Sequence, residues 1–227
     1  MSNEADGRVQ PAKEVRAVFC NVVTPRKFKE NGVEKGDAKY DITIVVDKET
    51  LKPIVAKAAE VARAKWPNRE LKELRWPWIT AEKAIDNAGR KAAKENKNVD
   101  EAKARVAKWA LPGTYVLKAA SKFPVQLAVL QGRNIIELSS DILVGQHKGK
   151  FYNGCYVVPQ INLVPYTGKK VDDPDGVTAY LDAVLRVKDG ERLGGGVNAA
   201  EAFKGYAGAY TSENPVEREL VDEEIPF

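Results

Sequence analysis

Residues 14–24 (EVRAVFCNVVT) and 38–47 (AKYDITIVVD) decide the fold class, because both stretches are rich in valine and isoleucine and alternate in polarity. A period of two predicts β-strands. In the second stretch it places four apolar side chains on one face: Tyr40, Ile42, Ile44 and Val46. Pro25 is predicted to end the first strand, and the charged stretch 26–38, with its Asn-Gly and Gly-Asp pairs, is predicted to be a loop.

Similar strand signals return in the second half of the chain. They cover residues 114–122, 124–130 and 177–189, and the stretch 149–166 predicts a strand pair or one long bent strand. Turn residues separate these segments, at 132–134 and at 172–176. The pattern predicts a mainly β protein with α insertions, built as a small, mostly antiparallel barrel.

The α insertion is predicted at about residues 50–110. Apolar residues recur at helical spacing between Leu51 and Lys65, and Trp66-Pro67 ends that helix. The alanine- and lysine-rich stretch 80–109 predicts one or two helices, with a break near Asn96–Asn98.

Charge is distributed unevenly along the chain. Its net charge is +4, but residues 213–227 carry −5 and residues 1–212 carry +9. A basic body with an acidic tail suits a polyanion-binding protein, although a solubilising tail on an ordinary surface gives the same numbers. The N-terminus shows no secretion signal, no apolar run reaches the ~18 residues of a membrane span, and two isolated cysteines suggest half-buried thiols in a cytoplasmic protein.

Residues suited to catalysis are scarce. His147 is the only histidine, so a nucleophile would lack an ordinary base. Asp172, Asp173 and Asp175 surround Pro174, and such a cluster is typical of a turn, although a metal-dependent nuclease would also need clustered carboxylates. The glycine-rich stretch 190–196 lacks the order of a nucleotide-binding loop. We therefore expect no catalytic residue, no metal site and no cofactor.

Aromatic residues interleaved with basic ones are more informative. Non-specific binding of single strands needs cations for the phosphates and flat rings for the bases. Three stretches and one arginine supply both and are the predicted DNA-binding residues: Arg75, Trp76 and Trp78; Tyr115, Lys118, Lys122 and Phe123; Lys148, Lys150, Phe151 and Tyr152; and Arg192. Of the adjacent Phe151 and Tyr152, one is expected to face the core, and Trp109 is expected to pack helices on the barrel.

Several segments together resemble a family of phage single-stranded DNA-binding proteins. They are 149–157 (GKFYNGCYV), 161–166 (INLVPY) and 187–195 (VKDGERLGG), and the similarity spans about residues 15–205. The resemblance implies an OB-fold core with helical additions, acting on single-stranded DNA in phage replication or recombination. The domain prediction is accordingly a disordered leader at 1–13, an OB-fold domain at 14–208 and a flexible acidic tail at 209–227.

The last residues resemble the C-terminal tip of bacterial single-stranded DNA-binding proteins, in which acidic residues precede Ile-Pro-Phe. The matching residues are Asp222, Glu223, Glu224, Ile225, Pro226 and Phe227. The resemblance implies that this tip docks on replication or recombination partners, and an acidic tail can also compete with DNA for a basic groove.

The leading hypothesis is a sequence-independent single-stranded DNA-binding protein. Two alternatives remain: a protein-interaction adaptor that binds no DNA, and a metal-dependent nuclease. The sequence leaves a homodimer open and predicts no membrane partner.

Overall fold

Strands in the computed structural model form one continuous sheet, most of which curls into a barrel. The structure describes residues 6–30, 33–168 and 173–193, with the backbone alone for 28–30. The strands are β1 (Arg8–Val9), β2 (Val15–Glu30), β3 (Val33–Val46), β4 (Trp78–Thr80), β5 (Tyr115–Ser121), β6 (Gln126–Gln131), β7 (Asn134–Glu137), β8 (Tyr156–Tyr166) and β9 (Gly176–Lys188). The helices are α1 (Lys48–Lys65), α2 (Ala81–Lys94), α3 (Val99–Ala107) and α4 (Asp141–His147), with 3-10 turns at Leu71–Glu73 and Lys148–Lys150.

Five strands close the barrel in the order β2, β3, β5, β9 and β8, with β8 pairing back to β2. Every pair in this ring is antiparallel except β5 with β9, which is parallel where Ala120 faces Tyr180. A five-stranded closed barrel with this order is the OB fold, so the predicted fold class is confirmed. The parallel pairing is one that local sequence patterns do not show.

Side chains along β3 alternate between the two faces of the sheet, as the sequence predicts, and those on the inner face fill the barrel. Ile42, Ile44 and Val46 point inward and are at most 3% exposed, and they meet Leu117 and Ala119 of β5 in the core. Each buried aliphatic side chain of this size contributes roughly 1.5–3 kcal/mol.

The hairpin of β2 and β3 corrects the prediction for residues 25–38. Pro25 does not end the strand, because β2 runs to Glu30 and β3 begins at Val33, so most of the predicted loop consists of two paired arms. A register irregularity between Asn21 and Arg26 falls at the proline, and a bulge accommodates a residue that has no N–H to donate.

Helix α1 begins at Lys48, because Asp47 caps it: its Oδ1 accepts a hydrogen bond from Thr50 N at 2.7 Å. The helix ends at Lys65, before Trp66-Pro67, as predicted. Its buried face, which includes Ile54, Ala58 and Val61, packs into the barrel core.

The alanine-rich stretch forms two helices, α2 and α3, separated near Asn96, which has a positive φ of 52°. They cover the outside of the barrel at Val116, which packs with Ala81, Ala84 and Ala110.

Cys20 and Cys155 are both free and buried, not half-buried as predicted. Contact with Cys155 and burial raise the pKa of the Cys20 thiol. Among the described helices, none has the length and apolar character needed to cross a membrane.

Candidate nucleic-acid interface

One side of the barrel, formed by β2, β3, β5 and β9, carries two rows of outward side chains across the sheet. Register pairs Phe19 with Thr43 and Thr43 with Lys118 in the first row. The second row, two residues along each strand, joins Asn21, Asp41, Ala120 and Tyr180. Neighbouring side chains in such rows lie about 5 Å apart. We call these two rows the outer face.

Two aromatic rings on the outer face are accessible. Phe19 is 43% exposed and Tyr180 is 50% exposed. The half-buried Trp109 meets Phe19 edge to face, with ring centroids 6.0 Å apart at 83°, and its other contacts are with the cluster beneath α2 and α3. This contact fixes the Phe19 ring while leaving much of its surface open to solvent.

Cations border these rings. Lys118 is exposed in the row of Phe19, and at the end of β5 Lys122 Nζ bonds Asp37 Oδ2 at 2.7 Å. That hydrogen bond raises the pKa of Lys122. Arg26 donates to Asn21 Oδ1 at 3.0 Å, which holds its guanidinium beside the second row.

Trp76, Trp78 and Tyr115 come together elsewhere, in a groove against α1. The two indoles stack with centroids 5.3 Å apart at 17°. The groove has a volume of about 710 Å³, and its lining also includes the aliphatic side chains of Leu51, Val55 and Leu71. Three lysines line its rim: Lys48, Lys52 and Lys72.

Tyr152 and Arg192 lie in a third place, which we call the clasp, formed by residues 151–155 and 189–193. The Tyr152 hydroxyl lies 2.9 Å from both Asp189 Oδ1 and the Gly190 carbonyl oxygen, and it accepts from Gly190 N at 3.0 Å. The Arg192 guanidinium covers the Tyr152 ring at 4.2 Å. The clasp therefore uses the polar atom of this tyrosine and one of its faces internally.

Phe151 is a correction to the predicted interface. Its side chain is 7% exposed and belongs to the barrel core, so the ring cannot stack on a base. Nearby, Lys148 and Lys150 lie in the 3-10 turn that follows α4.

The other predicted residues are scattered. Arg75 is exposed, while its backbone bonds Asp175 and Val177, and Phe123 is 76% exposed beyond the end of β5. The predicted tail residues 222–227 lie outside the described part of the chain.

Asp175, one of the three aspartates considered for a nuclease, is committed to structure. Its side chain pairs with Arg69 and accepts from Gly168 N at 2.8 Å. Asp172 lies outside the described residues, and no group of three potential metal ligands occurs within them.

Comparison with known proteins identifies the family of this chain. A family model described as the ssDNA-binding protein of Enterobacter phage Enc34 matches residues 10–216. The chain belongs to this family. No match was found among curated protein sequences.

Solved structures of the Enc34 phage protein share the fold of this chain. The Enc34 phage protein in complex with ssDNA has a TM-score of 0.54 and 19% identity, with 83% of this chain and 90% of that chain covered. The same phage protein without DNA has a TM-score of 0.51 and 19% identity, with 87% of this chain and 90% of that chain covered. The T7 phage ssDNA-binding protein gp2.5 has a TM-score of 0.45 and 12% identity, with 93% of this chain and 99% of that chain covered.

Within this phage family's fold, sequence reasoning found Lys118 and Lys122 but missed Phe19, Tyr180 and Arg26 on the outer face. Tyr180 had a signal, because Val177, Ala179 and Leu181 alternate around it as inward residues. Phe19 had none, because a register irregularity between Ala17 and Phe19 resets the alternation of β2.

Proposed function

We propose that the chain binds single-stranded DNA without strong sequence preference, through the outer face. The observation that carries the proposal is the family match over residues 10–216. The strands involved support it, since β3 and β5 are the second and third strands of the OB barrel, whose surface is the usual oligonucleotide-binding face of this fold.

Two kinds of contact would act together. The rings of Phe19 and Tyr180 can each stack on a base, contributing about 1–3 kcal/mol, and stacking accepts every base because each has a flat face. Lys118, Lys122 and Arg26 would contact phosphates, with release of counterions that makes the affinity fall with salt.

We also propose the cellular role that the sequence resemblance implies. The protein would act on exposed single strands in phage DNA replication or recombination, as a binding protein without catalytic activity or cofactor. Residues 222–227 would recruit replication or recombination proteins, and the acidic tail would compete with DNA. The family and the charge difference between tail and body support this role.

Fluorescence anisotropy of a labelled oligo-dT, against a duplex of equal length at two salt concentrations, tests the central proposal. Tight, salt-sensitive binding to the single strand with weak binding to the duplex is expected. Equal binding to both forms, or none to either, would reject it, and the second result would favour the adaptor alternative.

A further inference from the structure

The groove between α1 and the Trp76–Trp78 pair is separate from the outer face in chemistry as well as in position. Leu51, Val55 and Ala59 follow one another at intervals of four along α1 and present an aliphatic wall to the indoles. Val55 is 42% exposed, so an aliphatic side chain of this wall is open to a ligand from solvent. This surface is an apolar site of a size that accepts a ligand.

The charges at the rim select the class of ligand. Lys52 pairs with Glu49 at 2.5 Å and Lys72 with Glu70 at 2.5 Å, while Lys48 has no ion pair among the described residues. Exposed pairs of this kind contribute little and exchange easily for another carboxylate. The aliphatic wall and the indoles form an apolar floor, and the lysines lie at its edge. Such a groove is complementary to a peptide that carries large apolar side chains beside acidic ones.

Single-stranded DNA suits the groove less well. Trp76 and Trp78 stack on each other, so each indole has one face already covered, and the α1 side chains that line the groove are aliphatic and offer no second ring to enclose a base. The groove therefore favours a peptide over a nucleic acid.

The chain itself carries a segment of the required chemistry. Residues 219–227 (ELVDEEIPF) combine carboxylates with isoleucine, proline and phenylalanine. We propose that the groove binds this segment of a second copy of the protein, with Ile225 and Phe227 against the apolar floor and Glu223 and Glu224 beside the rim lysines.

Such an interface is heterologous, because each copy offers one groove and one segment. Interfaces of this type generate open chains when the geometry does not close a ring. An open chain is the arrangement that covers a single strand of any length, and this consequence alone rests on the proposed function.

Peptide binding tests the docking without DNA. The receptor is the full chain with Ile225→Ala and Phe227→Ala, so that its own segment does not compete, and the probe is a labelled peptide of residues 213–227. A second peptide with serine in place of Ile225, Pro226 and Phe227 keeps the charge and should bind at least tenfold more weakly. Equal binding of both peptides would reject the apolar half of the proposal.

Two receptor variants locate the site. Val55→Glu places a carboxylate in the groove, and the matched Ile142→Glu makes the same change on α4 at a side chain that is 73% exposed. We expect at least a tenfold loss of peptide affinity for the first and none for the second. Lys52→Glu with Lys72→Glu, which leaves the apolar floor intact, should give a similar loss that disappears in high salt. Unchanged peptide binding in Val55→Glu would overturn the proposal.

Sedimentation of the unmodified full chain identifies the source of the segment. Association that increases with concentration, and that is lost in Val55→Glu and in the Ile225→Ala, Phe227→Ala variant, is expected. Association equal in all variants would overturn the role of a second copy. If Val55→Glu weakened oligo-dT binding but not peptide binding, the groove would be a nucleic-acid site. Failure of oligo-dT binding alone would reject the proposed function and leave the docking result standing.

Discussion

The clasp and the outer face combine the same residue types, aromatic rings next to lysine and arginine, but they use them differently. In the clasp the Tyr152 hydroxyl contacts Asp189 and Gly190, and Arg192 covers its ring. On the outer face Tyr180 is half exposed, and Phe19 meets a single aromatic neighbour at an edge. The difference is one of accessibility: contacts within the clasp already use the hydroxyl and one face of Tyr152, whereas the Phe19 and Tyr180 rings are largely open to solvent.

Two of the three segments that carry the family resemblance, 149–157 and 187–195, contain the clasp. Leu193 N donates to Asn153 O at 2.7 Å, and Gly154 N donates to Ala17 O at 2.6 Å, so both segments are joined to each other and to β2. These two segments therefore hold parts of the barrel together, and the side chains of the proposed outer face lie outside them.

The largest effect is expected from Gly154→Ala in the clasp. Gly154 has a φ of 113°, and a methyl group there would overlap the carbonyl oxygen of Glu191. Backbone strain and this overlap together should lower the free energy of unfolding by about 3 kcal/mol or more, measured by urea denaturation.

Gly113→Ala is the matched control for this substitution. Gly113 also has a positive φ, of 77°, but nothing lies within 4 Å of the added methyl group. We expect a loss of about 1–2 kcal/mol from strain alone. Equal losses of unfolding free energy in the two variants would mean that the overlap with Glu191 contributes nothing to the effect of Gly154→Ala.

The next largest effect is expected on the outer face. Tyr180→Ala and Phe19→Ala should each weaken oligo-dT binding by roughly 5- to 150-fold, the loss of one stacked base, while changing stability less than Gly154→Ala. Anisotropy measures the affinity, and urea denaturation checks the fold. If both variants bound as the unmodified protein does, the outer face would be excluded as the stacking surface.

Tyr152→Phe should lower the stability of the protein and leave its affinity for DNA unchanged, the reverse of the outer-face variants. Removal of the hydroxyl leaves Gly190 N and Asp189 without this partner and should cost about 1–2 kcal/mol of stability. Oligo-dT affinity should stay unchanged, and it should stay unchanged also in Tyr152→Ala, which removes the ring that the sequence alone predicts as a DNA contact. A large loss of affinity in a folded Tyr152→Ala protein would return the clasp to the interface and remove the distinction between the two regions.

The sequence predicted the parts of this fold that depend on a single buried face. Ile42, Ile44 and Val46 alternate because one side of β3 faces the core, so the period of two was visible. The β2–β3 hairpin was missed because its arms at Arg26 and Lys39 are exposed and carry no apolar pattern. Pairing of distant strands, such as Ala120 with Tyr180, has no local signal at all.

The site was less predictable for a related reason. Composition identifies which rings and cations exist, but not which of them are already in contact with one another. Phe151 and Tyr152 differ by one position, yet the first is buried in the core and the second is held by Gly190. Those contacts arise between residues nearly forty positions apart, and only the closed barrel brings them together.

The smallest effect is a pH dependence confined to the clasp. Hydrogen bonds from Arg186 and Tyr152 hold the pKa of Asp189 below its usual value of 3.8. A carboxyl whose pKa is lowered in the folded state stabilises the protein above the unfolded pKa, and this contribution is lost as the pH falls through the lower folded value. Asp189→Asn should therefore destabilise the protein at pH 6 and have a smaller effect at pH 3, measured by urea denaturation of both proteins at each pH. The effect should be small because the Asp189 side chain is 76% exposed. Its oligo-dT affinity at pH 6 should match that of the unmodified protein, since the outer face is intact, and a change there with an unchanged stability would place Asp189 in the binding surface rather than in the clasp.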